Sequence, residues 1–504
     1  MGIAALLAGC GSGDSILQAG NEPLPATTPA PVTSPPVTVA GQTTLPPVTT
    51  SPPTTVPRLL DSLPPCDVDA LDAAAADGPV DLLFWHGLSN ENGRTMERIV
   101  DQYNQSQDRV RVRLEFQGGY EQTIDKYLQS NTDNRPDLVQ IPEYATQLMI
   151  DTRSSIPMQA CMEDAAYDPS VLLPAALAAY AAESIQWSMP LNVSNPVLYY
   201  NKKIFRDAGL DPDRPPLTLA EVAEAGRVIQ QTGAAAYGLV LDTAPDGGGG
   251  WFLEQWLAKQ GEFYSDNDNG RSAPSTRVLF DSPAGVALLT ELRDVVLTGG
   301  GFYVGENPDG QQSLLKLANQ SEPGTMTIST SAGLGPVLAF VEGGIIPGIG
   351  SEDIGVGPMP SPNGAPGALI GGNSLWITAD RGDEKAAAAW DFTSWLVSAE
   401  VQSDFAASTG YVPVNSGAPN VEPLASVYTS DPRFKVAYDQ VAQTPDTPTS
   451  IGPNLGPQRE IRVTAAAAMG RILNGGDPAA ELAIAAAEAN ALIADYNARR
   501  DAGG

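Results

Sequence analysis

Residues 80–85 form an almost unbroken apolar run, Val-Asp-Leu-Leu-Phe-Trp, the pattern of a strand covered on both faces. Met96, Ile99, Val100 and Tyr103 then recur at helical spacing and predict a helix over 94–105. Val110, Val112, Leu114 and Phe116 alternate with Arg111, Arg113 and Glu115, which reads as a strand with one wet face. A helix over 120–129 and a strand over 137–141 complete a strand–helix–strand–helix–strand series. That pacing predicts an α/β domain with a largely parallel sheet.

The pattern resumes with strands at 197–200 and 237–241 and a helix at 217–232 between them. Short strands at 326–328 and 375–377 follow, with helices at 283–297, 383–397 and 400–408. The last hundred residues are helical and Ala-rich, notably 460–473 and 478–499. No internal repeat is visible. Two α/β lobes, with a ligand held where strand ends and loops converge, is the architecture these elements imply.

Composition narrows the function. Of 504 residues, 28 are Lys or Arg and 59 are Asp or Glu, a formal charge of −31. Such acidity argues against nucleic acid and against anionic membrane surface as partners. Any anion must therefore be held locally, by one or two cations and backbone NH groups. Three cysteines and one histidine cannot assemble an HExxH zinc pair or a double CxxC site, so no metal or cofactor is expected. No apolar run approaches the roughly 20 residues that span a bilayer.

The first 65 residues stand apart. Leu7-Ala8-Gly9-Cys10 matches a bacterial lipobox, with Cys10 as the acylated residue. The positive n-region of a secretory signal is missing and its apolar region is clipped, which suggests a start codon placed too late. Between Pro23 and Pro57 there are 11 Pro and 10 Thr in 35 residues, a composition that cannot offset its own ordering entropy. Residues 11–65 are therefore read as a disordered, partly extended tether. This layout gives an extracytoplasmic address, on the outer face of the cell membrane and joined to it only through lipid. In that compartment the two other cysteines, Cys66 and Cys161, are expected to form a disulfide.

Residues 189–230 read MPLNVSNPVLYYNKKIFRDAGLDPDRPPLTLAEVAEAGRVIQ. With FWHG at 84–87, GGYEQT at 118–123 and DLVQIPE at 137–143, this resembles the extracellular solute-binding proteins (family 1) of ABC importers. The similarity is to their glycerol-3-phosphate-binding branch. MTISTSAGL at 326–334, LIGGNSLW at 369–376, TGYVPV at 409–414 and QREIRV at 458–463 follow in the same order, so the resemblance covers essentially the whole body. It implies a two-lobed periplasmic-binding-protein-like fold of type II, similar to maltose-binding protein, with discontinuous lobes and a hinge. Lobe 1 is expected to comprise 66–192 and about 335–378, and lobe 2 193–334 and about 379–504. It implies a monomer that does no covalent chemistry, captures a small solute between its lobes and delivers it to permease subunits.

Seven contact positions carry over from the family: Tyr120, Glu143, Ser194, Thr330, Gly372, Tyr411 and Arg462, with Ser331 and Trp251 as further candidates. Thr330 stands where the family has Ser. The family's covering aromatic residues give way here to Gly247–Gly250, which opens one wall and leaves glycerol-3-phosphate and a larger glycerophosphodiester both in view. Chemically, Arg462 can grip phosphate through two parallel hydrogen bonds. Small residues at 330–333 and 371–372 let backbone NH groups approach oxygens. Glu143, repelled by phosphate, is expected at the glycerol hydroxyls, at the opposite end from Arg462, with Tyr120 and Tyr411 walling the carbons.

Blander roles suit the same residue types: a surface salt bridge for Arg462, a loop carboxylate for Glu143, half-buried aromatics for the tyrosines, a turn for Gly371-Gly372. Trp251 and Trp256 fit core or cleft. His86 reads as a structural hydrogen bond at a strand end, and Asp266–Gly270 as a tight turn. Three other functions compete: an oligosaccharide receptor of the same fold, a surface-anchored hydrolase, and a sensory lipoprotein. A hydrolase would need a serine elbow, paired carboxylates or metal ligands, and none is convincing.

Overall fold

The computed structural model describes residues 58–244, 250–305, 312–317, 321–344 and 348–502. Cys10, the tether up to Pro57 and Gly247–Gly249 lie outside the described residues; the end of the expected tether, 58–65, is instead part of the body, with a short helix at Leu59–Ser62 whose Leu60 is buried in the core. Two sheets organise the body. In the first, strands run in the order Val110–Phe116, Val80–His86, Leu138–Pro142, Gly371–Thr378 and Ser155–Ile156, and Met189–Ser194 also pairs with Gly371–Thr378. The first three are parallel, but Gly371–Thr378 is antiparallel to every neighbour. The sheet is thus mixed rather than largely parallel, because this strand enters from the second lobe and runs against the rest. The second sheet is ordered Phe302–Tyr303, Tyr237–Leu241, Gly324–Thr330, Pro196–Asn201 and Ile354–Pro358.

The division of the lobes differs from the sequence-based one at two places. Ile354–Pro358 is an edge strand of the second sheet, hydrogen-bonded to Pro196–Asn201. Conversely, the helix Asp383–Leu396 packs on the Val80–His86 strand of the first sheet, and Ala399–Thr409 packs on the helix Asn90–Ser106. The chain therefore returns to the first lobe after residue 358 and leaves it again before Lys435–Ala442, which packs on the second sheet.

Local chemistry sets the ends of several elements. The helix anticipated from 217 starts at Leu219, because the Thr218 hydroxyl caps the Glu221 amide while the Glu221 carboxylate accepts from the Thr218 amide. Gly233, at φ 71°, closes it in the left-handed conformation that glycine adopts without strain. The single residue Asn195 carries the chain from one sheet to the other. It is fully buried and tied on all sides: its carbonyl accepts from the Ser331 amide at 2.9 Å, its Nδ2 donates to Ala437 O at 2.9 Å, and its Oδ1 accepts from Gln440 Nε2 at 2.8 Å.

Cys66 and Cys161 are joined, anchoring the start of the body to the helix Met158–Asp164. Asp266–Gly270 is the expected turn: Asn267, Asp268 and Asn269 all have φ between 53° and 60°. Asn269 Oδ1 accepts from the amides of Tyr264 and Ser265 inside that turn. His86 is buried against Phe84 and Phe116 with its pKa pushed down to about 4 by burial, so it is neutral. The side-chain hydrogen bond expected of it is not found at Nδ1, which has no partner. Among the described residues no helix is long and apolar enough to cross a membrane.

Candidate functional site

All seven family positions sit where the two sheets meet. Tyr120 opens the helix Tyr120–Gln129 of the first lobe, and Tyr411 follows the helix Ala399–Thr409. Gly410, at φ 84°, ends that helix and turns the chain so that the two phenols meet, oxygen to oxygen, at 2.9 Å. Burial pushes both phenol pKa values up, so both keep their protons. The pair holds two protons and uses one between them. Asn192 Nδ2 approaches the Tyr120 oxygen at 3.5 Å, and its Oδ1 is fixed by Gln140 Nε2 at 2.7 Å.

Ser194 is buried at the end of its strand, opposite Gly371. Gly372 has φ 103°, and a Cβ there would lie 2.1 Å from Asn192 O, so only glycine fits. Gly372→Ala is expected to destabilise the protein by about 1–3 kcal/mol through this strain, and to weaken ligand binding by moving Asn192. Denaturant unfolding checks the first effect and calorimetric titration the second; an unchanged midpoint would contradict the clash. Thr330 Oγ1 accepts from the Ala332 amide at 3.3 Å, and Ser331 is buried beside Asn195.

The charged end departs from expectation. Arg462, on the helix Gln458–Leu473, is 2% exposed. Its Nε and Nη2 donate to Glu254 Oε1 and Oε2 at 2.8 and 2.7 Å, and Nη2 lies 3.0 Å from Glu143 Oε1. The Tyr144 ring stacks under the guanidinium, its centroid 5.2 Å away. Arg462 and Glu143 are therefore partners and not the opposite ends of the site. The bidentate edge foreseen for phosphate is held by Glu254, a residue the sequence reading missed. The Gly372 amide donates to Glu143 Oε2 at 3.2 Å, which ties this cluster to the glycine pair.

Burial, only partly offset by Arg462 and aggravated by Glu254, raises the Glu143 pKa from its ordinary 4.5 to about 7. A carboxyl raised on folding contributes stability that is complete below its unfolded pKa and lost as pH rises through about 7. Glu143→Gln is thus expected to flatten the pH 5–8 dependence of ligand-free stability and to be at least as stable as the parent at pH 8. Thermal melts of both proteins across that range check it; a steeper slope in the variant would reverse the assignment.

Trp256 is core, fully buried with Nε1 donating to Pro360 O at 2.9 Å. Trp251 is also buried, but its ring lies against Gly371, where a Cβ would meet Cζ2 at 2.3 Å, so it walls the site. The two lobes are latched beyond the site by Arg459 to Glu121 and Asp125, at 2.5 and 3.0 Å, and by Tyr496 Oη donating to Asp151 at 2.7 Å. A cavity of about 1180 Å³ opens next to this latch, lined among others by Ile124, Tyr144, Trp187, Arg459 and Tyr496. None of the seven family positions lines it; it touches the site only through Tyr144.

A family model for bacterial extracellular solute-binding proteins matches residues 98–436. The chain belongs to this family. It is 28% identical over 401 residues to the sn-glycerol-3-phosphate-binding periplasmic protein UgpB of Yersinia pestis, covering 77% of this chain and 87% of that one. Against UgpB of Pectobacterium atrosepticum the identity is 27% over 407 residues, with 79% and 87% covered. Two crystal structures share the fold. UgpB from Mycobacterium tuberculosis in complex with glycerophosphocholine superposes with a TM-score of 0.66 at 21% identity, covering 83% of this chain and 99% of that one. The cyclic α-maltosyl-1,6-maltose binding protein from Arthrobacter globiformis gives 0.68 at 22%, with 82% and 99% covered. The fold is thus that of the two-lobed binding proteins. This solute-binding protein is the extracytoplasmic component of an ABC importer, capturing a small molecule for its permease, and is not an enzyme.

Proposed function

We propose that this solute-binding protein takes a glycerol-phosphate-type solute, either glycerol-3-phosphate or a glycerophosphodiester, in the cleft between its lobes. The reading includes anchoring by lipid on Cys10 through the Pro- and Thr-rich tether, and action as a monomer. The observation that carries the ligand assignment is the convergence of Tyr120, Glu143, Ser194, Thr330, Gly372, Tyr411 and Arg462 on one junction, in a chain whose relatives are named for glycerol-3-phosphate.

The ligand's orientation follows from charge. Two carboxylates flank one guanidinium at the Arg462 end, so phosphate is repelled there and hydroxyl groups are favoured, donating to Glu143. The neutral donors at the other end, the Tyr120–Tyr411 pair and the hydroxyls of Ser194, Thr330 and Ser331, suit phosphate oxygens. Both lobes contribute, so a bound ligand favours the closed arrangement.

Calorimetric titration of the full chain with glycerol-3-phosphate, glycerophosphocholine and maltose in parallel tests the reading. Binding of either phosphate ligand with maltose silent supports it, and the ratio of the two reports how much bulk beyond the phosphate the site accepts. Maltose binding with both phosphates silent would replace it with the oligosaccharide reading.

A further inference from the structure

We propose that Arg271 is a positioning residue that holds the two lobes together from outside the site. Part of the preference for the closed arrangement is then built into the chain and is the same for every solute. Arg271 follows the turn Asp266–Gly270 of the second lobe, between Tyr264 and Phe280 of the core under the second sheet. Its Nε and Nη2 donate to Gly452 O, in the same lobe, at 3.0 and 2.8 Å. Its Nη1 crosses to the first lobe and donates to Ala179 O and Ala181 O, each at 3.0 Å. That segment leads into Ala182, Ile185 and Trp187, which pack with Trp85 and Val139 of the first sheet. A guanidinium is a rigid plane, so all four bonds coexist only at one spacing between Gly452 and the 179–181 segment. When the lobes part, the two bonds from Nη1 are lost.

Both ends of this strut are prepared for it. Ala179 ends the helix Pro174–Ala179, where carbonyls lack a partner inside the helix and an arginine donor is favoured. On the other side, Asn267, Asp268 and Asn269 all hold left-handed backbone, which costs each of them strain. Local bonds offset that cost. Asn269 Nδ2 donates to Ile451 O at 3.0 Å, and the Asn454 amide donates to Asn269 O at 2.8 Å, so the turn is tied to the segment that carries Gly452. A Cβ at Gly270 would stand 2.4 Å from Asn454 O, so the close approach needs glycine. Two further bonds cross between the lobes beside the strut. The Glu183 amide donates to Arg271 O at 3.3 Å, and Asn454 Nδ2 donates to Gln147 Oε1 at 2.8 Å. Between the two gripped carbonyls stands Tyr180, fully buried, its phenol pKa raised by burial and by the nearness of Glu143. Arg271 therefore reaches the site through the backbone of the first lobe, and no contact with solute is asked of it.

The test uses the full chain with Cys10→Ser, so that no thiol outside the bridge competes, and with spin labels on Gln129→Cys and Glu488→Cys. These positions are exposed, one on each lobe, at helices away from the strut. Label-to-label distances are measured by pulsed electron paramagnetic resonance in the parent, Arg271→Gln and Arg271→Lys, without solute and with excess glycerol-3-phosphate or glycerophosphocholine. Without solute, the ratio of open to closed population should rise at least about tenfold in Arg271→Gln, because two charge-assisted bonds are lost. Arg271→Lys, which keeps the charge and lacks the fork, should fall between the two. Calorimetric affinity for each solute the parent takes should drop by one common factor of up to about tenfold, since only the closed fraction has changed. Equal distance distributions in the three proteins overturn the inference, even where the urea midpoint falls, because Arg271 then only supports the fold. A loss of affinity that differs between the two solutes also overturns it, by placing Arg271 on the ligand. Failure of the glycerophosphate reading leaves the test intact, because the distances without solute decide it.

Discussion

Arg462→Ala is expected to lower stability by about 3–5 kcal/mol and to weaken ligand binding by at least about 2 kcal/mol. The stability loss comes from what remains. Glu254 and Glu143 stay buried, one 3% exposed and the other with its side chain 13% exposed, with the shared guanidinium gone. Two carboxylates cannot both remain ionised there without repulsion, so the deficit should be larger at pH 8 than at pH 5, where protonation relieves it. Adding Glu254→Gln to Arg462→Ala should recover part of the loss, because it removes one stranded charge. Adding it to the parent should not stabilise, since there it breaks a bidentate pair. Urea unfolding of the four proteins at both pH values forms a double-mutant cycle. A single variant as stable as the parent at pH 8 would show that the cluster is solvated and the argument wrong.

That cluster also marks where sequence reasoning ends. The strands at 80–86 and 110–116 and the helices at 120–129 and 283–297 were legible because each has one wet and one dry face, or an apolar run of strand length. Met189–Ser194 was missed as a strand because all six residues are buried and nothing alternates. Ile354–Pro358 was missed because two glycines and a proline disguise it as a loop. The helix Gly250–Lys259 is buried almost all round and shows no period, and it follows a glycine run.

A usable signal did exist there. Glu254 sits between Trp251-Phe252-Leu253 and Trp256-Leu257, and a carboxylate inside such an apolar run must have a partner. The sequence could have raised that question, but not its answer. The Arg462–Glu143 contact joins distant parts of the chain across two lobes, and residue chemistry alone suggested that the two would stand apart. Family resemblance carried the seven positions individually and was silent on how they pair with one another.

Loss of the Cys66–Cys161 bond is the other large effect expected. The bridge spans a sequence separation of 95, and in the chain-entropy model such a closure is worth up to about 4–5 kcal/mol. The loop it closes contains four strands of the first sheet, 80–86, 110–116, 138–142 and 155–156, together with Tyr120 and Glu143. Cys161 is fully buried on Met158–Asp164, and the segment around Cys66 is also held by packing: Leu71 is 2% exposed in the first lobe's core, its helix Ala70–Ala75 lies on Asp383–Leu396, and the Val68 amide donates to Asp164 Oδ2 at 2.9 Å, while Arg58 pairs with Glu163 at 3.0 Å among exposed groups. Exposed pairs of that kind contribute little, so the covalent link and the burial of Leu71 are what tie this segment down. Cys66→Ser with Cys161→Ser should therefore lower the urea midpoint strongly while leaving ligand affinity in the folded protein close to that of the parent, because neither cysteine touches the site. The same shift should follow when the parent is unfolded in the presence of a reductant, and the reductant should do nothing further to the double variant. A double variant with the parent's midpoint would mean that the unfolded first lobe is already as compact as the bridge makes it.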